Sequence, residues 1–237
     1  MLLFLPAKSD QMHNSVDRKI SLLDRLIGSD KVVSVVFIRH CETALNARRL
    51  IDGDSASSLT ARGRSQARAL RTYLNSVNQG WLDQSRTKWL VSPMVRAEET
   101  AAALVAGSRH EIENDFREVD VGHVQGKSWV DAVEAKILSG EHDVYTAFPG
   151  GESFREAQTR SMAALSRHMI DKPNDLVIVA HGGIIVLLIL GILEISLDQF
   201  PFSEIDNGSC SIVEFHNIKG KMVPKIRLLN YAPSVDG

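Results

Sequence analysis

Two histidines follow directly on apolar, largely β-branched runs. Lys31 to Ile38 ends in Arg39-His40-Cys41-Glu42-Thr43, and Leu176 to Ala180 ends in His181-Gly182-Gly183. Runs of this composition suit central strands buried on both faces. Ligands of an open α/β sheet bind beyond the carboxyl ends of its strands, so histidines at two such ends face one pocket. A shorter run, Lys88 to Val91, leads into Ser92-Pro93-Met94-Val95-Arg96 and brings a second arginine to the same rim, one turn into a helix. Two arginines with two histidines suit a dianion. Guanidinium groups grip phosphate oxygens in a bidentate fork. A neutral imidazole is a competent nucleophile, and neighbouring arginines disfavour its protonation.

The elements that must hold these residues can be read from the same pattern. Thr60 caps a helix running to Val77, with Leu70, Tyr73, Leu74 and Val77 on one face. Pro93 fits the first turn of a helix through Leu104. Helices are also expected over Ser128 to Leu138, over Glu152 to Ile170, and from Gly182-Gly183 onward. Glu111 to Glu113 reads as a short strand, and Arg39 to Ser58 as a loop. Ser209 to Phe215 and Val223 to Leu229 read as a closing pair of strands around Lys219-Gly220. Strands alternating with helices imply a three-layer α/β/α sandwich with a mostly parallel central sheet. Residues 1–30 read as a helical extension, with Ile20, Leu22, Leu23, Leu26 and Ile27 near helical spacing, and residues 31–237 as a single domain.

The chain has 237 residues, with 44% apolar and 24% charged, the profile of an ordinary globular protein rather than a disordered or fibrous one. Its net charge of −2 argues against nucleic-acid binding over the whole surface. Cys41 and Cys210 are too few for a disulfide scaffold or a zinc ribbon. The apolar run at the start is shorter than a secretory h-region, and Ile184 to Leu193 is too short to span a bilayer. A cytoplasmic protein is therefore expected.

Six segments, taken in order, resemble one family. Arg39-His40-Cys41-Glu42-Thr43 with Asn46 resembles the Arg-His-Gly-Glu-Thr signature of the histidine phosphatase superfamily, branch 1, to which cofactor-dependent phosphoglycerate mutase also belongs. Leu59-Thr60-Ala61-Arg62-Gly63 with Gln66-Ala67, Ser92 to Thr100, Phe116 to Gly122 with Gly126, Pro149-Gly150-Gly151-Glu152-Ser153, and Ala180 to Gly183 are similar to its further motifs. The resemblance covers about 33 to 215. It implies that His40 takes the phosphoryl group as nucleophile and that Arg39, Arg96 and His181 hold the phosphate oxygens. It implies that Asn46 adds a hydrogen bond, that Glu118 is the general acid, that Asp52 and Gly53 touch substrate, and that Gly182 supplies a backbone donor. It implies no metal and no cofactor. Cys41 departs from the family's glycine; it is either a harmless substitution, a residue that narrows the pocket, or an oxidisable thiol if exposed and of low pKa.

Taken singly, these residues are unremarkable: His40 suits a hydrogen-bonded core histidine, Arg96 a surface helix charge, Glu118 a solvated carboxylate. The ordered set outweighs those readings. His13, His110, His142, His168 and His216 read as surface or core residues, and His123 as a candidate for the pocket wall. Seven arginines against three acids make residues 39–71 locally +4. Arg62, Arg64, Arg68 and Arg71 read as the outer face of one helix, and Arg48 and Arg49 as candidates to reach a second anionic group.

Only 33 residues separate Glu118 from Glu152, and they carry two lysines, no arginine and five acids. Phosphoglycerate mutases typically carry a longer, basic insertion there. The expected activity is therefore metal-independent hydrolysis of a small phosphate monoester through a phosphohistidine on His40. Phosphoglycerate mutase-type transfer and a catalytically silent phosphate-binding or scaffold member are the alternatives. Trp129, Val130, Val133, Ile137, Tyr145 and Phe148 wall the pocket or form a helix's core face. The expected partner is a small phosphorylated metabolite, with no nucleic acid and no membrane, and a homodimer is left open.

Overall fold

A six-stranded sheet in the order β3-β2-β4-β1-β5-β6 organises the molecule. The computed structural model describes residues 32–53, 56–77, 80–107, 109–134, 144–170, 175–198, 204–219 and 221–235. The expected N-terminal extension lies outside the described residues. Strands β1 (Val33–Arg39), β2 (Lys88–Val91), β3 (Glu111–Ile112) and β4 (Leu176–Ala180) are mutually parallel. Strands β5 (Cys210–Ile218) and β6 (Lys221–Tyr231) add an antiparallel hairpin beside β1.

Helices cover both faces. They are α1 (Ala44–Ala47), α2 (Ala61–Ser76), α3 (Val95–Leu104), α4 (Trp129–Glu134), α5 (Phe154–Ile170) and α6 (Gly182–Ile192). Strand alternation sorts the core into two layers. Val35, Phe37, Leu90 and Ile178 pack with Ala164 and Leu165 of α5 and with the apolar α6. Val36, Ile38, Trp89, Val91 and Val179 pack with Leu70 and Leu74 of α2 and Ala97 and Leu104 of α3. This is the α/β/α sandwich expected from the alternating elements.

Local chemistry sets several boundaries differently from the sequence reading. Thr43 and Asn46 form a capping box that starts α1 inside the stretch expected to be loop. Helix α3 begins at Val95, after Met94 in extended conformation, so Pro93 precedes the helix rather than opening it. Ser153 and Glu156 cap α5, which delays it to Phe154. Thr60 caps α2 as anticipated, its hydroxyl accepting from Gly63 N at 2.9 Å. Helix α4 is described only to Glu134; the rest of its expected span lies outside the described residues. Among the described residues no helix is long and apolar enough to cross a membrane.

Candidate active site

In the sheet register Arg39 stands opposite Ala180 of β4, and Val91 of β2 opposite Val179 of the same strand. The residues that follow, His40, His181 and Ser92, therefore leave the sheet at one edge. A cavity of about 750 Å³ opens there. Arg39, His40, Asn46, Glu118 and Gly182 line it, as do the backbone turns at Asp52 and Gly53. Arg96 and His181 lie just beneath, both fully buried.

His40 is pinned in one tautomer. Its Nδ1 lies 2.9 Å from the carbonyl of Cys41. A carbonyl can only accept, so Nδ1 carries the hydrogen and Nε2 keeps a lone pair. Arg96 Nε donates to that Nε2 at 3.2 Å. Burial first, then the charges of Arg96 and Arg39, hold the imidazole well below the usual histidine range. His40 is thus a neutral base or nucleophile facing an anion site.

His181 stands 5.1 Å away, ring centroid to ring centroid. Its Nε2 is 2.7 Å from the Ser92 hydroxyl. Met94 N donates to the same hydroxyl oxygen at 3.4 Å. His181 Nδ1 is buried and has no partner among the described residues, and neither has Arg39 Nε. A guanidinium nitrogen can only donate, so the orphaned Arg39 Nε, buried with the unpartnered His181 nitrogen near His40, suits an anionic acceptor. Burial, then Arg96, His40 and Arg39, keep His181 well below its ordinary pKa.

Arg96 is oriented from below. Its Nη2 donates to the carbonyls of Asp52 and Gly53 at 2.9 and 2.7 Å, and its Nη1 lies 3.4 Å from Asp52 Oδ1. Asp52 also accepts from Thr43 and Ser57 hydroxyls at 2.8 and 2.7 Å. The Asp52 carboxylate is therefore engaged by the protein itself. Asn46 Oδ1 accepts from Thr43 N and Asn207 Nδ2, each at 3.1 Å, which turns its amide to donate with Nδ2.

Glu118 meets His40 across the cavity. Burial raises its carboxyl above the ordinary value, against the opposing pull of the Val119 amide, Arg96, Arg39 and the Gly183 amide. A carboxyl of this kind holds a proton to higher pH. A Cβ at Gly183 would sit 2.8 Å from Glu118 Oε1 and would displace that carboxylate. The pair Gly182-Gly183 opens α6, so the positive end of that helix also faces the cavity.

Residues that sequence reasoning gave no role turn out to hold Glu118 in place. Arg160 grips Glu152 with two bonds, Nε to Oε2 at 3.0 Å and Nη2 to Oε1 at 2.6 Å. It also donates to the carbonyls of Asp115 and Glu118 at 2.5 and 3.1 Å. Glu152 Oε1 in turn accepts from Asp120 N at 3.0 Å. The segment bearing Glu118 is braced on both sides. A signal was present: Arg160 lies three residues after Ala157 and four before Ala164, on the buried stripe of α5.

Other candidates fall elsewhere. Cys41 is fully buried beside Leu59 and Ala67, and burial pushes its thiol up to about 12. It is neither exposed nor acidic, so it lacks what an oxidisable thiol requires. Cys41 and Cys210 are both free thiols. Arg49 borders the cavity, whereas Arg48 does not. Arg62, Arg64, Arg68 and Arg71 lie exposed along α2. His123 is exposed and outside the cavity. Phe148 is core, edge-on to Phe154 at 5.3 Å, while Val130 and Tyr145 face outward.

Comparison with known proteins places this geometry in a class. Residues 35–225 match the model of the histidine phosphatase superfamily (branch 1). The chain belongs to that superfamily. It is 30% identical over 174 residues to a probable phosphoglycerate mutase of Salmonella typhi, covering 68% of this chain and 76% of the relative. It is 29% identical over 203 residues to a metal-independent phosphoserine phosphatase of Arabidopsis thaliana, covering 80% and 79%. A putative α-ribazole-5′-phosphate phosphatase of Escherichia coli shares the fold with TM-score 0.72 at 23% identity, covering 87% of this chain and 100% of that one.

Proposed function

We propose that the protein is a phosphomonoesterase that works without a metal, through a phosphohistidine on His40. The observation that supports this most is the pinned tautomer: Cys41 O holds the proton on Nδ1, and the unprotonated Nε2, which accepts from Arg96 Nε, sits among Arg39, Arg96 and His181. In the first step Nε2 attacks phosphorus and the P–O bond to the alcohol breaks, with Glu118 giving its proton to the leaving oxygen. Guanidinium and imidazole donors carry the charge on the equatorial oxygens. In the second step water attacks phosphorus, Glu118 takes its proton, and the N–P bond breaks to release inorganic phosphate.

The test is phosphate release from a panel of monoesters in the presence of EDTA. Phosphoserine, phosphoglycerate and α-ribazole phosphate, the esters suggested by the relatives' names, belong in the panel. Wild-type turnover is expected on at least one ester, with His40→Ala reducing it by about 10⁴-fold or more. Turnover that survives in His40→Ala, or that EDTA removes, overturns the proposal. A wild-type protein that releases no phosphate favours a silent phosphate-binding member.

A further inference from the structure

The cavity is much larger than its phosphate end. At about 750 Å³ it falls in the range of sites that enclose drug-sized ligands. Beyond His40 and Glu118 its lining includes the apolar Leu50, Ile51, Val121, Phe154, Val186 and Ile205, beside the polar Asn46, Arg49 and Asn207.

The charge at the mouth points the same way. Glu204 and Asp206 border the cavity on the side of Arg39; burial lowers the Arg39 pKa, and these carboxylates, with Glu118, are close enough to oppose that shift. Asp206 is fixed: its amide donates to Asn230 Oδ1 at 2.7 Å, and Asn230 Nδ2 donates back to its Oδ2 at 3.1 Å. Asn230 Nδ2 also lies 3.1 Å from the Glu204 carbonyl. Ile205 between them receives Arg39 Nη1 on its carbonyl. Arg39 thus ties this turn to the phosphate end. Against these two carboxylates the described residues of the mouth set one cation, Arg49. A substrate with a second anionic group would meet a net negative rim.

We infer that the substrate's alcohol is a bulky, largely apolar group with no second phosphate or carboxylate, seated on the wall formed by Leu50, Ile51, Val121, Phe154, Val186 and Ile205. This rests on the phosphatase reading and adds the substrate class to it. The wall removes hydrocarbon from water next to the scissile bond, and Glu204 and Asp206 turn away acids such as phosphoglycerate.

The experiment compares kcat/KM for ethyl, butyl and hexyl phosphate with that for glycerol phosphate and phosphoglycerate, all in EDTA. The alkyl esters have similar leaving groups, so the series reads binding of the chain. The expected result is a rise of about threefold per methylene, with hexyl phosphate above glycerol phosphate and phosphoglycerate last. Ile51→Ser is expected to flatten the slope. Ile51 is only partly buried, and glycerol phosphate turnover reports whether that variant remains folded. Glu204→Lys is expected to move the phosphoglycerate to hexyl phosphate ratio several-fold toward phosphoglycerate.

A flat or falling alkyl series, with glycerol phosphate or phosphoglycerate preferred, overturns the inference and leaves the phosphohistidine reading standing. An unchanged ratio in Glu204→Lys overturns its electrostatic half. Turnover of none of these esters, together with none of the wider panel, overturns the phosphatase reading and this inference with it.

Discussion

Two regions of the sheet carry similar residue types and put them to different use. At the carboxyl edge, His40, His181, Arg39 and Arg96 surround a cavity, and two buried nitrogens, His181 Nδ1 and Arg39 Nε, lack a partner among the described residues. Beside the outer strand β3, Lys88, His168, Glu113, Arg167 and Asp115 form a network of their own. Lys88 Nζ lies 3.0 Å from His168 Nδ1 and His168 Nε2 lies 2.8 Å from Glu113. Lys88 also pairs with Glu111 at 2.9 Å, and Arg167 with Asp115 at 2.8 Å. Every charge in that network has its partner inside the protein. The first cluster is incomplete without an anion; the second is complete as it stands and ties β2 and β3 to α5. Residue type alone does not separate a site from a brace; Gln84 Nε2 and Ser209 Oγ are also buried without a partner among the described residues, so what sets the first region apart is that its unpartnered nitrogens belong to the cluster around His40.

The comparison can be broken most sharply at Glu118. Glu118→Gln is expected to slow alkyl phosphate hydrolysis by about 10² to 10⁴-fold and nitrophenyl phosphate much less, because a good leaving group needs no proton. Equal losses on the two esters would remove Glu118 from the role of acid. In the wild type the raised carboxyl places the alkaline fall of kcat at higher pH than an ordinary glutamate would, since activity is lost as pH rises through its pKa. That limb is expected to vanish in Glu118→Gln, and a pH–rate profile checks it.

Arg160→Met keeps the stem and removes the forks to Glu152, Asp115 O and Glu118 O. Displacement of Glu118 is expected to cost up to about 10²-fold on alkyl esters, again with nitrophenyl phosphate affected less. A loss that is the same for both esters would mean that Arg160 serves stability alone.

Stability against acid should distinguish the regions next. His40 and His181 are held neutral, their pKa values depressed below an unfolded value of about 6.5. A depressed histidine gives stability that is present above the unfolded pKa and lost as pH falls below it. Urea unfolding at pH 7.5 and pH 5 is expected to show this loss in the wild type and a flatter response in His181→Asn. An equally steep response in that variant would assign the acid sensitivity elsewhere.

The smallest effect belongs to the network beside β3. His168→Ala is expected to lower stability by about 1 kcal/mol through its two lost bonds and to leave kcat/KM at wild-type level. A large kinetic loss with intact folding would make that region part of the catalytic apparatus and end the contrast.

Much of the carboxyl edge was legible because local pattern and long-range position coincide there. The β-branched runs before His40 and His181 declare buried strands, and residues that follow parallel strands must gather at one edge. The hairpin of β5 and β6 and the cap at Thr60 were legible for similar local reasons. What escaped was what depends on distant chain. Ile205 meets Arg39 across 166 positions, and no motif announces the turn that carries Glu204 and Asp206. Arg160 reaches Asp115 O and Glu118 O across 45 and 42 positions, and its place on the buried stripe of α5 signals burial without naming those partners. The short helix α1 was hidden by its four residues, too few for any periodicity. Arg49, whose φ of 57° puts an arginine in the left-handed region, bends the chain into the cavity rim with no glycine to signal the turn.

The central claim is that His40 Nε2 becomes phosphorylated. The direct measurement is peptide mapping by mass spectrometry after an alkaline quench during turnover, since a phosphohistidine survives base and is lost in acid. The account predicts one phosphoryl group on the peptide containing His40, present in wild type, enriched in Glu118→Gln if water activation is slowed, and absent from His40→Ala. Sustained turnover with no phosphoryl group on His40, together with inversion of configuration at a chiral phosphorus, would show direct attack by water and contradict it.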